Sequence, residues 1–289
     1  MHLHIQFILI ALVVGFHNPT QADTKWRLVW SDEFDYTGLP DSSRWSYDVG
    51  GHGWGNGEEQ FYTQERMQNA RVENDVLTIE ARREYKEGRP YTSARLVTKG
   101  KGDWTYGRFE VRARLPSGRG TWPAIWMLAS QNMYGQNYWP DNGEIDIMEH
   151  VGYDPDVVHA TIHTLAFNHI MGTQRGAQLR VPKAREAFHT YSVEWTPEEI
   201  RAYVDTTHYY TFKNQRLGSK QANFRQWPFD RPFHLILNVA VGGTWGGAQG
   251  IDHAIWPQKM EVDYVRVYDV DDETPVESQS WGQVKTDER

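Results

Sequence analysis

The stretch Phe109-Glu110-Val111-Arg112-Ala113-Arg114-Leu115 (FEVRARL) decides the fold class. Phe109, Val111, Ala113 and Leu115 share one parity, and Glu110, Arg112 and Arg114 share the other. Side chains of a strand alternate between faces, so this is a strand with one face in a core and one in water. The same period recurs along the chain, in VLTIEAR (76–82), AIWMLA (124–129), VVHATIH (157–163), TYSVEW (190–195), IRAYVD (200–205), HLILNVAV (234–241) and EVDYVRVYDV (261–270). Turn-forming clusters separate these runs: PSGRG at 116–120, PDNG at 140–143 and GGTWGGAQG at 242–250. No long segment has helical periodicity with caps. Many short strands punctuated by turns predict an all-β fold, a sandwich of two antiparallel sheets.

Composition narrows the function. The first 22 residues hold an apolar run from Ile5 to Phe16, too short to span a bilayer, followed by TQA before Asp23. This pattern predicts a signal peptide over 1–22, and with it a secreted or periplasmic protein. No later segment is long and apolar enough for a membrane span, so the mature protein is expected to be soluble or at most loosely surface-bound. Residues 23–270 read as one domain and the acidic, unpatterned stretch 271–289 as a disordered tail. The chain has no cysteine, so a large core must carry stability without disulfides. A net charge of −8 without a basic stripe argues against nucleic acid and other polyanions. Thirteen Trp and 15 Tyr exceed the needs of a core and suit flat, neutral, partly apolar ligands such as sugar rings.

The chemistry concentrates in Glu144-Ile145-Asp146-Ile147-Met148-Glu149. Strict alternation puts Glu144 and Asp146 on one face but sends Glu149 to the opposite face with Ile145 and Ile147. An unpaired carboxylate in an apolar layer is costly. A β-bulge at Ile147-Met148 removes the conflict, because one extra residue returns Glu149 to the face of the other acids. Glu144 and Glu149 then lie about four strand steps apart, roughly 13 Å between Cα atoms. Side chains leaning together close that gap to about 5 Å, the carboxyl separation of a retaining glycosidase. Three acids merely solvated on an exposed face is the alternative, and their mutual repulsion disfavours it. An EF-hand is excluded by spacing, and GGTWGGAQG lacks the Lys-Ser/Thr ending of a phosphate loop.

The blocks LVWSDEFD, GGHGWGNGEEQFYT, WPAIWML, WPDNGEIDIMEHVG, PFHLILNVAVGGTWGG and VDYVRVY resemble glycoside hydrolase family 16, in particular its laminarinase branch of endo-β-1,3-glucanases. The similarity runs from about Leu28 to Tyr268. It implies a β-jelly-roll sandwich with a concave sugar cleft. It also implies that Glu144 is the nucleophile, that Glu149 is the general acid/base, and that Asp146 hydrogen-bonds toward the nucleophile. Trp122 and Trp126, of one parity, are then walls of the cleft rather than core, and Trp245 is a sugar platform on its glycine-rich loop. Asn56 and Arg95 match positions that contact sugar hydroxyls near the cut site, with an ordinary strand salt bridge as the alternative for Arg95. His163, on the strand after the acids, is expected to hydrogen-bond near them, with a structural histidine as the alternative. His159 and His163 lie too far apart on one strand to form a zinc pair.

No cofactor is implied for catalysis. Family members often carry a structural calcium, and Glu33 and Asp263 match such a site. Alternation puts Asp263 on the face of Val265 and Val267, where either an ion or an arginine would neutralise it. The expected activity is retaining endo-hydrolysis of β-1,3-glucan by a monomer. A β-1,3(4)-glucanase of broader linkage specificity and a non-catalytic β-glucan-binding module are the alternatives. A binding module would need the tryptophans but not the three acids.

Overall fold

A computed structural model describes residues 25–271. The predicted signal peptide and the tail beyond Asp271 lie outside the described residues. The chain forms two eight-stranded sheets packed face to face, with a two-stranded accessory sheet of Gln60–Tyr62 and Tyr91–Ser93. All pairings within the two large sheets are antiparallel.

One sheet, the outer sheet, is built around Gly107–Arg114, which lies between His189–Trp195 and Gln258–Val270. Phe109, Val111 and Ala113 are fully buried and the alternate charged residues are half-buried, as the alternation predicts. The other, the cleft sheet, runs in the order Arg175–Arg180, Val157–His163, Glu144–His150, Thr121–Ala129, Phe233–Val241, Arg95–Val97 and Ser46–Tyr47. Its inner face supplies Ile125, Met127, Ile145, Ile162, Leu235 and Leu237 to a core shared with the outer sheet. Phe233–Val241 is buried at all nine positions because its second face is the floor of the cleft.

Several strands escape the sequence pattern, most of them only two to four residues long, but three are longer. Trp26–Asp32, Arg175–Arg180 and Thr207–Lys213 are all half-exposed or more over most of their length, so burial imposes no clean alternation on them.

Asp263 departs from the expectation. Val262 pairs with Ala113 but Tyr264 pairs with Arg112, so Asp263 is the extra residue of a bulge. The bulge takes Asp263 out of the parity of Val265 and Val267, and its carboxylate meets the Arg112 guanidinium. Glu33 is likewise taken by Arg266, at 3.0 and 2.8 Å. Each carboxylate has a guanidinium partner, the second of the two remedies that the sequence offered for Asp263.

Candidate active site

Glu144–His150 lies between Thr121–Ala129 and Val157–His163, and both neighbours record the same irregularity. Trp126 pairs with Asp146 and Ile125 with Met148, which leaves Ile147 as the inserted residue. Ile147 and Met148 both point into the core, fully buried. Glu144, Asp146 and Glu149 therefore share the opposite face, where all three line one cavity of about 760 Å³. A cavity of this size falls in the ordinary range for ligand sites.

The neighbours of the three acids are chosen by register. Leu128, Trp126 and Ala124 stand opposite them on one side, and His163, Thr161 and His159 on the other. No Lys or Arg is among these six. The His163 ring approaches Asp146 at 3.3 Å and Glu144 at 3.8 Å. Glu144, Asp146 and His163 form the one group of three converging metal-ligating side chains among the described residues. The Trp122 indole N–H donates to Glu149 Oε1 at 3.0 Å.

Burial dominates the electrostatics of these acids. Asp146 is only 2% exposed, and burial, helped by the charge of Glu149, pushes its carboxyl well above the ordinary range. Glu144 is pushed up to about 8, chiefly by burial and then by the charge of Asp146. Glu149 is raised to about 7 by burial and by the charge of Glu144. The His163 ring and the indoles of Trp139 and Trp122 act in the opposite direction but do not outweigh burial. Groups this close lose their protons as a set.

The remaining sequence-derived residues also meet here. Asn56, Arg95, Trp122, Trp126, His163 and Trp245 all line the same cavity. Arg95 is nearly buried, pairs with Asp48 at 2.9 Å, and lies between Trp54 and Trp126, 4.6 Å from each ring. Trp126 donates to Asn238 Oδ1 at 2.7 Å. Trp245 meets Trp122 and His159 edge-on, with ring centroids 5.5 and 5.0 Å away. Its loop reaches them because Gly246 lies where a Cβ would come within 2.8 Å of Trp122. Trp54 and Asn56 alternate with Gly53, Gly55 and Gly57, whose positive φ angles curl that loop toward the cavity.

Several lining residues were not legible beforehand. Tyr138 and Trp139 reach the cleft from a loop organised by Asp141 and Asn142. Asn142 Oδ1 accepts from the backbone of Met133 and Tyr134, and Asp141 Oδ2 from that of Gln136 and Asn137. The PDNG turn is thus also a buried brace. Glu58 was missed as well, although Glu58, Gln60 and Tyr62 alternate as a polar set along one short strand and its approach.

The glycosyl hydrolases family 16 model matches residues 57–266. The β-glucanase of Rhodothermus marinus is 68% identical over 243 residues, which cover 84% of this chain and 85% of that protein. The X-ray structure of the laminarinase from Rhodothermus marinus superposes with a TM-score of 0.85 at 67% identity, covering 86% of this chain and 98% of the other. A non-specific endo-β-1,3(4)-glucanase, SCLam, follows with a TM-score of 0.80 at 46% identity, over 88% of this chain and 95% of its own. With a family match that runs over residues 57–266 and takes in all three acid-bearing and flanking strands of the cleft sheet, this chain belongs to glycosyl hydrolases family 16.

Proposed function

We propose that this protein is an exported, monomeric endo-glucanase that hydrolyses internal β-1,3 linkages of β-glucans with retention of configuration. The observation that carries the reading is three carboxyls, Asp146 buried and Glu144 and Glu149 half-buried, facing a tryptophan-walled cleft with no arginine or lysine opposite them in either neighbouring strand. Such groups can hold and release protons near neutral pH, which a salt-bridged carboxylate does not do. The linkage is suggested by the β-glucanase and laminarinase relatives. The leader-like first 22 residues support export.

Glu144, as an anion, attacks the anomeric carbon while Glu149 gives its proton to the departing glycosidic oxygen. The C–O bond breaks and a glycosyl ester on Glu144 forms. Glu149, now ionised, takes a proton from water, whose oxygen attacks the same carbon and releases Glu144. Net inversion occurs twice, so configuration is retained. As a family-16 glycosidase the protein needs no cofactor for these steps.

Taken singly, Glu144 (about 8) holds its proton more tightly than Glu149 (about 7), the reverse of what this scheme uses. The set resolves the conflict. A protonated Asp146 donating to Glu144 stabilises the Glu144 anion, and that anion's charge keeps the next proton on Glu149. Trp126, Trp245 and Arg95 present ring faces and a guanidinium to the sugars, and Asn56 and His163 add polar contacts.

The test is release of reducing ends from laminarin and from mixed-linkage β-glucan, with wild type and Glu144→Gln side by side. Rapid hydrolysis of laminarin that disappears in the variant is expected. Equal rates on both polymers would favour the β-1,3(4)-glucanase reading. Wild type that binds laminarin without cleaving it would make the protein a glucan-binding module.

A further inference from the structure

Glu58 is a fourth carboxylate in the cleft, only 6% exposed and distant in sequence from the other three. Its Oε2 accepts from Gln60 Nε2 at 2.6 Å and from the Tyr62 hydroxyl at 3.3 Å, and its Oε1 accepts from Asn56 Nδ2 at 3.3 Å. The Tyr62 oxygen in turn accepts from Asn238 Nδ2 at 3.0 Å, and Asn238 Oδ1 accepts from the Trp126 indole N–H at 2.7 Å. Every donor in this series points the same way, from Trp126 through Asn238 and Tyr62 to Glu58. The chain ends on the Glu58 carboxyl, whose oxygens accept from Gln60, Tyr62 and Asn56.

The same residues enclose Arg95. Trp54 stacks edge-on against Tyr62 at 5.3 Å, and the Arg95 guanidinium lies between Trp54 and Trp126. Burial raises the proton affinity of Glu58, and the hydrogen bonds from Gln60 and Asn56 together with the charge of Arg95 offset only part of that rise. Gln60 ties the carboxylate to the floor, since its Oε1 accepts from the Val241 backbone N–H at 2.8 Å, three residues beyond Asn238 on the same strand.

We propose that Glu58 is a positioning residue for sugar binding: through Tyr62 and Asn238 it fixes the amide orientation of Asn238 and thereby the ring of Trp126, one of the two indoles that enclose Arg95. This inference rests on the proposed glucanase function and deepens it. Glu58 does not touch the reacting atoms in this scheme. It sets the wall along which the glucan lies, so its loss appears in binding more than in the chemical step.

The gentlest break in the chain is Tyr62→Phe, which removes one hydroxyl and leaves Glu58 with its Gln60 and Asn56 partners. Glu58→Gln keeps an acceptor oxygen but places an amide N–H₂ among the donors of Gln60, Asn56 and Tyr62. Each variant is expected to raise KM for laminarin on the order of 10-fold, the worth of one buried hydrogen bond, with kcat changed far less. The double variant is expected to be little worse than either single one, because both act through one chain. Calorimetric binding of laminari-oligosaccharides in a Glu144→Gln background should weaken by the same factor. Multiplicative losses in the double variant, or a fall in kcat at unchanged KM in variants that keep the wild-type melting temperature, would overturn the proposal. So would a melting temperature lowered in both single variants by enough to account for the lost activity. Failure of wild type to cleave laminarin would instead defeat the parent reading, and the two failures are distinguishable.

Discussion

The two outer faces of this sandwich are written in the same grammar and do opposite things. On the outer sheet, charged residues at alternate strand positions find opposite charges across the ladder. Arg108 faces Glu194 and Arg114 faces Glu261, while Arg112 reaches Asp263 and Arg266 reaches Glu33. Hydrogen bonds from Arg266 hold Glu33 below its ordinary range. Burial alone would raise Glu261, but Lys259 and Arg114 outweigh it and keep that carboxyl low. On the cleft sheet the acids face Trp, His, Thr, Ala and Leu, and their proton affinities rise. A bulge serves each face, one releasing Asp263 from the core parity and one releasing Glu149. What separates the acids of the two faces is the partner, since a guanidinium freezes the anion while an indole or a methyl leaves the proton exchangeable.

The sharpest break would come at Glu149. Glu149→Gln keeps the shape but removes the transferable proton, and activity on laminarin should fall on the order of 10²–10⁴-fold. An aryl glucoside chain whose leaving group needs no proton should lose much less in its first step. Equal losses on both kinds of substrate would show that Glu149 is not the acid.

The proton set also predicts the alkaline limb. The proposed mechanism needs a protonated Glu149 beside an ionised Glu144, so kcat/KM should decline as pH rises through about 7 to 8. A limb beginning near pH 5 would mean that burial does not raise these carboxyls.

Stability should follow the same groups with the opposite benefit. Glu144 titrates near 4.5 when unfolded and near 8 in the fold, so the folded state binds the extra proton between those values. Its contribution is therefore fully favourable below about pH 4.5 and is lost as pH rises toward 8. Glu144→Gln abolishes this loss. The variant should be more stable than wild type at pH 8 by roughly 1–3 kcal/mol, with the gap closing by pH 4.5, as thermal melts at the two pH values would read.

The smallest effect belongs to the other face. Arg112→Met leaves Asp263 unpaired at a half-exposed position, where an ion pair is worth about 0–1 kcal/mol, and should leave glucan hydrolysis unchanged. A large loss of activity would mean that the two faces are coupled through the core.

Much of this was legible in the chain itself. Phe109 to Leu115 and its counterparts declare strands because each must bury one face and wet the other. The break at Ile147-Met148 declares a bulge because no other local solution keeps Glu149 out of the core. The same reasoning failed at Asp263, where a bulge again intervened, because an arginine on the neighbouring strand was an equally good remedy and sequence does not say which strands pair. Asp141 and Asn142 looked like turn residues, since their bonds to the backbone at 133–137 are made only when the loop closes.

By itself, then, the sequence determined the all-β class, the shared face of Glu144, Asp146 and Glu149, and the family. Those features depend on local period and on residue identity at short range. Tertiary structure decided which acids would have a cation and which would not. It also joined Glu58 to Trp126 through Tyr62 and Asn238, residues up to 180 positions apart. That junction requires Phe233–Val241 to be inserted between Thr121–Ala129 and Arg95–Val97. A strand's place in a sheet is set by the global burial of both its faces, which no local window of sequence contains.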